Sequence, residues 1–217
     1  MPPKPYVLMT CAEVREILNR RARGEQELLD HLEEVDAASI YYHTHSYYLR
    51  GKYRHDRYPN DFATWVAEQV RDRVLSERLA VLDPFTLPDV EALRRQLVTQ
   101  IEDHIEELGF APRALFGDPF DFIRGHVVAV PTGMEIRTRE DLREGLRRAP
   151  PEALYYHFFE DAFRHGRRHG TLVAWVAEEL GDAPLAAALA RVNPYRLHLE
   201  HLRRDLLRVL DASGGGA

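Results

Sequence analysis

Apolar positions along this chain recur mainly at helical spacing. Leu28, Leu29, Leu32 and Val35 form one stripe, Leu142, Leu146 and Ala149 repeat it, and Leu93, Leu97, Ile101 and Ile105 fall four apart, which predicts amphipathic helices with one face in a core. Phe62, Trp65 and Val66, and again Leu172, Trp175 and Val176, predict two further helices anchored by tryptophan. Between these runs lies punctuation. Thr10-Cys11-Ala12-Glu13 reads as a capping box, predicting a helix that stops near Gly24. Val127-Val128-Ala129-Val130, closed by Pro131-Thr132-Gly133, is a β-branched run ending in turn residues and predicts an extended segment. Ser39 and the Pro150-Pro151 pair suit helix starts. Asp61 and Thr171 stand just before the tryptophan helices in positions suited to capping, and in the first copy either Asn60 or Asp61 is expected to be the cap. Asp83-Pro84 and Asn193-Pro194 break helices, because the residue before proline is pushed out of helical space.

The pattern repeats. Ile40-Tyr41-Tyr42-His43 recurs as Leu154-Tyr155-Tyr156-His157 at an offset of 114, which also pairs Leu28 with Leu142, Leu32 with Leu146 and Pro5 with Pro119. At an offset of 110, Ala63-Thr64-Trp65-Val66-Ala67-Glu68 answers to Val173-Ala174-Trp175-Val176-Ala177-Glu178. At 109, Glu91-Ala92-Leu93-Arg94-Arg95 answers to Glu200-His201-Leu202-Arg203-Arg204. Unlinked matches at nearly constant offset read as duplication, with four loop residues lost before the second tryptophan helix. The expected fold is mainly α: two tandem diverged helical repeats of about 100 residues packed together, with short extended segments near each repeat start. The expected domains are an N-terminal helical repeat over 1–109 and a C-terminal helical repeat over 110–217, ending in a flexible Ser213-Gly214-Gly215-Gly216 tail.

Composition narrows the function. A net charge of -6 repels phosphate backbones and anionic lipid, so neither nucleic acid nor membrane is an expected partner. The arginine groups Arg20-Arg21-Arg23 and Arg164-Arg167-Arg168 sit among acids and read as solvated helix faces. Cys11 is the single cysteine, which excludes an internal disulfide and a cysteine-rich zinc site. With no export signal after Met1-Pro2-Pro3-Lys4-Pro5, the expected location is the cytoplasm.

The densest chemistry is Tyr41-Tyr42-His43-Thr44-His45-Ser46-Tyr47-Tyr48, a run of rings with polar tips. On a helix His43 and His45 diverge by about 200° and cannot share one ion. His157, Asp161 and His165 lie four apart and could present ligands on one face, but among them only the histidine recurs in both motifs. No bound metal and no cofactor are therefore expected. No Walker loop, nucleophile elbow, zinc-protease helix or dinucleotide fingerprint occurs. The candidate ligand-binding residues are Tyr41, Tyr42, His43, His45, Tyr47, Tyr58, Asn60, Asp61 and His157, chosen where the first copy elaborates on the second.

The Tyr41-Tyr42-His43-Thr44-His45 segment, followed by Pro59-Asn60-Asp61-Phe62 and the Trp65 helix, resembles a bacterial and archaeal family of uncharacterised proteins, domain of unknown function 5752. The resemblance spans nearly the whole chain and implies no established activity or catalytic residue. It implies a link to carbohydrate metabolism, since members are sometimes encoded beside sugar-polymer or glycosyltransferase enzymes. The leading expectation is a binding or regulatory module with an aromatic, histidine-containing groove that takes a small molecule or protein partner. The rivals are a metal-dependent or acid-base enzyme using His43, His157 and nearby carboxylates, and an oligomeric scaffold in which exposed tyrosines join copies of the chain.

Overall fold

The computed structural model describes residues 4–50, 58–166, 169–195 and 198–212. The arginines 167 and 168, the tail from Ser213 to Gly216 and most of the extra loop before the first tryptophan helix lie outside the described residues. The protein is mainly helical, with one two-stranded antiparallel sheet. Among the described residues no helix is long and apolar enough to cross a membrane.

The two strands are β1 (Tyr6–Ala22) and β2 (Phe120–Ile136), each of 17 residues. The extended segments are thus longer than expected, and the helix expected from Thr10 to Gly24 is a strand instead. Cys11, Val14 and Leu18 would have made a helical stripe, which is why the segment misleads. A capping box contributes only about 1 kcal/mol, whereas pairing with β2 satisfies backbone groups along the entire ribbon. Val14 and Ile17 are left exposed as a result.

The chain forms two compact units: a continuous one, Val14–His126, and a composite one, Met1–Glu13 with Val127–Ala217. Each ribbon strand therefore contributes one half to each unit. In the continuous unit the helices are α1 (Glu25–Glu34), α2 (Ala37–Thr44), α3 (Ser46–Arg50), α4 (Asp61–Trp65), α5 (Arg73–Ala80) and α6 (Val90–Leu108). α4 runs on into a π-helical turn, Val66–Val70. α6 packs against α1, α2 and α5, enclosing Leu28, Leu32, Phe62, Leu75, Leu97, Ile101 and Phe122.

Side-chain caps start these helices. Asp36, Asn60, Asp72 and Asp89 accept hydrogen bonds from the amides of Ser39, Ala63, Leu75 and Ala92, each cap contributing about 1 kcal/mol. Gly109, at φ 72°, ends α6 in the left-handed region where a side chain would be strained. One expected cap is corrected here. Ser39 lies inside α2 and gives its hydroxyl hydrogen to the Ile123 carbonyl. Of the two expected caps of α4, Asn60 is the one that caps it and Asp61 lies inside the helix.

In the composite unit the helices are α7 (Arg139–Arg148), α8 (Pro151–Tyr155), α9 (Asp161–Arg164), α10 (Thr171–Glu178), α11 (Ala183–Ala190) and α12 (Leu199–Ala212). A π-helical turn, Tyr156–Glu160, joins α8 to α9. Thr138 and Asp141 form a true capping box for α7. Gly170 precedes α10 without a side-chain cap, so Thr171 does not cap it either. Leu8, Leu142, Leu146, Leu154, Tyr155, Phe159 and Leu206 fill this core. Trp65 and Trp175 are both buried, as the apolar pattern predicts.

Candidate functional site

α2, α4 and β2 meet around His43 in the continuous unit. Its imidazole is buried against Phe62, Phe120 and Phe122, with ring centroids 5.4, 4.6 and 6.0 Å away. Both nitrogens are engaged. The Ile123 amide donates to Nε2 at 3.0 Å, so Nε2 carries the lone pair and Nδ1 carries the hydrogen, which it gives to Asp61 Oδ2 at 2.8 Å. Arg50 donates to the same oxygen at 2.7 Å and to the Tyr42 carbonyl at 3.1 Å. The Arg50 guanidinium also lies 4.3 Å from the centroid of the Tyr42 ring, a cation–π distance.

The electrostatics follow from this geometry. Burial disfavours the Asp61 carboxylate, but the hydrogen bond from His43 and the hydrogen bond and charge of Arg50 outweigh it and hold the acid below the usual carboxylate range. Burial dominates at His43 and lowers its pKa, although Asp61 pulls the other way. A neutral imidazole with both nitrogens bound has neither a free lone pair nor a free proton. It fixes the backbone of β2 to α2 and α4, and it is poorly placed to act as a general base or a metal ligand.

Beside this cluster lies a cleft of ≈ 280 Å³. Tyr42, Trp65 and Phe120 supply its aromatic wall, while Glu68, Gln69 and Asp121 supply polar edges. Trp65 Nε1 donates to the Asp118 carbonyl at 2.8 Å, and Gln69 Oε1 accepts from the Asp118 amide at 2.9 Å. The loop before β2 is thereby pinned to the α4 helix and its π turn. Gly117 fits because a Cβ there would lie 2.7 Å from Gln69 Oε1.

Of the candidate residues, Tyr42, His43 and Asp61 line the cleft. Tyr41 and His45 are buried and stack on each other at 4.3 Å. Thr44 gives its hydroxyl hydrogen to the Ile40 carbonyl at 2.7 Å, so His45 Nδ1 is the donor in its 2.8 Å bond to Thr44 Oγ1. Burial drives the His45 pKa down to about 3. Tyr47 is half-buried with its ring edge-on to Tyr48. Tyr58 is buried with its hydroxyl 3.2 Å from Ser76 Oγ. Asn60 is a capping residue whose amide also donates to the Leu79 carbonyl at 3.1 Å. Sequence reasoning passed over Arg50, Gln69, Phe120 and Asp121, which come together only through the fold. The one available signal was the match of Pro5 with Pro119, which marked the segment before Phe120 as repeated.

His157 belongs to the composite unit, where it heads a different chain of bonds. The Met9 amide donates to its Nε2 at 2.9 Å. Its Nδ1 gives a hydrogen to the Tyr6 hydroxyl at 3.1 Å, and Tyr6 donates onward to Thr171 Oγ1 at 2.8 Å. Thr171 Oγ1 ends the chain by donating to Asp161 Oδ2 at 2.7 Å. Burial pushes the His157 pKa down to about 4. Trp175 Nε1 donates to the Lys4 carbonyl at 2.7 Å.

Comparison with known proteins fits this architecture to a family. Residues 3–211 match the model of a family of unknown function, DUF5752. The chain belongs to that family. A solved structure, that of OrfY from Thermoproteus tenax, is similar at 25% sequence identity and a TM-score of 0.84. The match covers 98% of this chain and 97% of that one, so the two share a fold over essentially their whole length. No curated protein matches the chain.

Proposed function

We propose that this DUF5752 protein is a binding module whose cleft beside His43 takes a small neutral polyhydroxyl ligand, such as one sugar unit. The observation that carries this reading is the closed bonding of His43, Asp61 and Arg50, which leaves His43 without a free lone pair or proton for acid-base work. What is left is an aromatic wall bordered by carboxylate and amide edges, the combination that holds a ring with many hydroxyls. A volume of ≈ 280 Å³ suits a ligand of that size. A cytoplasmic location accords with a single buried, unpaired Cys11.

The test is calorimetric titration of the full chain with a panel of neutral mono- and disaccharides. The expected result is saturable binding to one or more, lost in Glu68→Ala while thermal unfolding stays near native. Absence of saturable binding across the panel would sink the sugar reading.

We further infer that the two units derive from one duplicated sequence, with repeats over 1–109 and 110–217. Support comes from element bounds and from bonds made at matched positions. β1 and α1 are matched by β2 and α7 at an offset of 114 throughout. Each histidine accepts from a strand amide, Ile123 or Met9. Each tryptophan donates to the carbonyl ahead of a strand, Asp118 or Lys4. Arg94 and Arg203 both donate to carbonyls at the end of α1 or α7, those of Leu32 and Leu146. On this reading the first half of each repeat's strand is packed with the helices of the other repeat. Superposing OrfY's halves on these two units tests it: matched histidine and tryptophan bonds in both halves are expected, and unrelated environments would end it.

A further inference from the structure

The continuous unit holds a second cluster that the cleft does not use. Glu25 opens α1, Asp72 caps α5 and His104 lies near the end of α6. Each offers one ligand-type atom within 4.8 Å of the other two. Asp72 Oδ1 is taken by the Leu75 amide at 2.9 Å, and Oδ2 accepts from His104 Nε2 at 2.8 Å.

The remaining valences are unmet. Glu25 is wholly buried, at 0% exposure, and neither carboxylate oxygen has a hydrogen-bond partner. His104 is 2% exposed, and its Nδ1 is buried without a partner. Leaving a buried polar group unmatched costs about 1–3 kcal/mol, more if it is charged, so two such groups side by side need an explanation. Folding alone does not require an acid at position 25.

The composite unit shows what the same place looks like when the protein satisfies it. There Asp182 caps α11 through Leu185 at 3.0 Å, as Asp72 caps α5. Arg139 opens α7, as Glu25 opens α1, and donates to Asp182 Oδ2 at 3.3 Å and to the Leu210 carbonyl at 2.7 Å. A cation thus sits against the capping aspartate in that unit. In the continuous unit the position carries an acid instead, and a histidine has been added opposite.

We propose that Glu25, Asp72 and His104 form a binding site for one divalent transition-metal ion, zinc or manganese. Two carboxylates and one imidazole are hard-to-borderline ligands, the donor set such ions share, and no thiolate is present to favour copper(I). The ion supplies the positive charge that Arg139 gives the other unit, and water completes its coordination. Asp72, whose side chain keeps 15% exposure, is the side from which an ion enters. Glu25 ligates in its ionised form, so uptake of an ion releases whatever proton its carboxyl holds. The sequence reading, confined to the motif helices, expects no metal; these three residues lie outside them and share no spacing motif. The proposal stands apart from the sugar-binding cleft.

The experiment is calorimetric titration of the EDTA-dialysed full chain with zinc and, separately, manganese chloride, in two buffers of different ionisation enthalpy. The expected result is one equivalent of either ion bound, with proton release evident from the buffer dependence. Glu25→Gln and His104→Gln should each weaken binding on the order of 100-fold, while the surface variant His126→Asn leaves it unchanged. X-ray absorption at the edge of the bound metal on the native chain gives a readout that needs no variant to fold. Oxygen and nitrogen ligation with one imidazole is expected there. No binding of either ion, binding that survives both variants, or a sphere with several imidazoles or sulfur would overturn the proposal.

Discussion

Asp61 Oδ2 sits 2.8 Å from His43 Nδ1 and 2.7 Å from Arg50, so one carboxylate oxygen serves an imidazole and a guanidinium together. In the composite unit the corresponding acid is Asp161, and it reaches His157 through the hydroxyls of Thr171 and Tyr6. The residue matched to Asp61 is Thr171, and the residue matched to Tyr6 is Phe120, which has no hydroxyl. Each unit thus terminates its histidine on a carboxylate, by a direct bond in one and a relayed bond in the other.

Asp61→Ala should destabilise the protein by about 3 kcal/mol or more, because it leaves the His43 Nδ1 hydrogen inside without an acceptor and takes the carboxylate away from Arg50. Asp61→Asn, which keeps an acceptor oxygen, should cost less. Urea unfolding of both variants checks the order, and equal losses would mean that an acceptor oxygen without its charge contributes nothing.

Tyr6→Phe should cost about 1–2 kcal/mol by cutting the relay between His157 and Thr171 while keeping the ring. Thr171→Val should cost a similar amount. Because both break one chain, the double variant should lose less than the sum, which a double-mutant cycle reads directly.

Acid should weaken the fold through its buried histidines. The His45 and His157 pKa values fall to about 3 and about 4 in the folded state, below the ordinary 6.5 of an unfolded chain. The unfolded state therefore binds more protons between these limits, and stability falls as pH drops below 6.5, by about 2 kcal/mol per histidine at pH 5. His45→Phe, the residue type at the matched position Phe159, should remove part of that loss. Thermal melts at pH 5 and 7.5 measure it, and an unchanged pH dependence would contradict the assignment.

Glu25 has the opposite sign. Its folded pKa of about 8 stands above its ordinary value of 4.5, so the folded state holds the extra proton and stability falls as pH rises through that window. In EDTA-treated protein, Glu25→Gln should be little different from wild type at pH 5 and clearly more stable at pH 8. A gain that does not grow with pH would show that Glu25 is already ionised in the native state.

Much of the helical framework was legible in the sequence because it rests on local rules. The stripes at Leu28–Leu32 and Leu93–Ile101 mark buried helix faces, and the two tryptophans mark cores, since period and apolar character are fixed by the chain itself. The segment from Thr10 to Gly24 reads as a helix in the sequence because a helical stripe and a capping box are present there. Only pairing with β2, more than a hundred residues away, decides that it is a strand. The sequence leaves Asn60 and Asp61 both open as the cap of α4, since both are good caps, and the approach of His43 and Arg50 to Asp61 selects between them.

The site divides along the same line. The sequence by itself determined which residue types were available, Tyr42, His43 and Asp61 among them. Tertiary structure decided their roles, because a histidine's chemistry depends on what meets its two nitrogens, and for His43 these are Asp61 and the Ile123 amide. It also decided that Glu25, Asp72 and His104, far apart along the chain, share one buried place, since helices α1, α5 and α6 carry them there only when their apolar faces have packed.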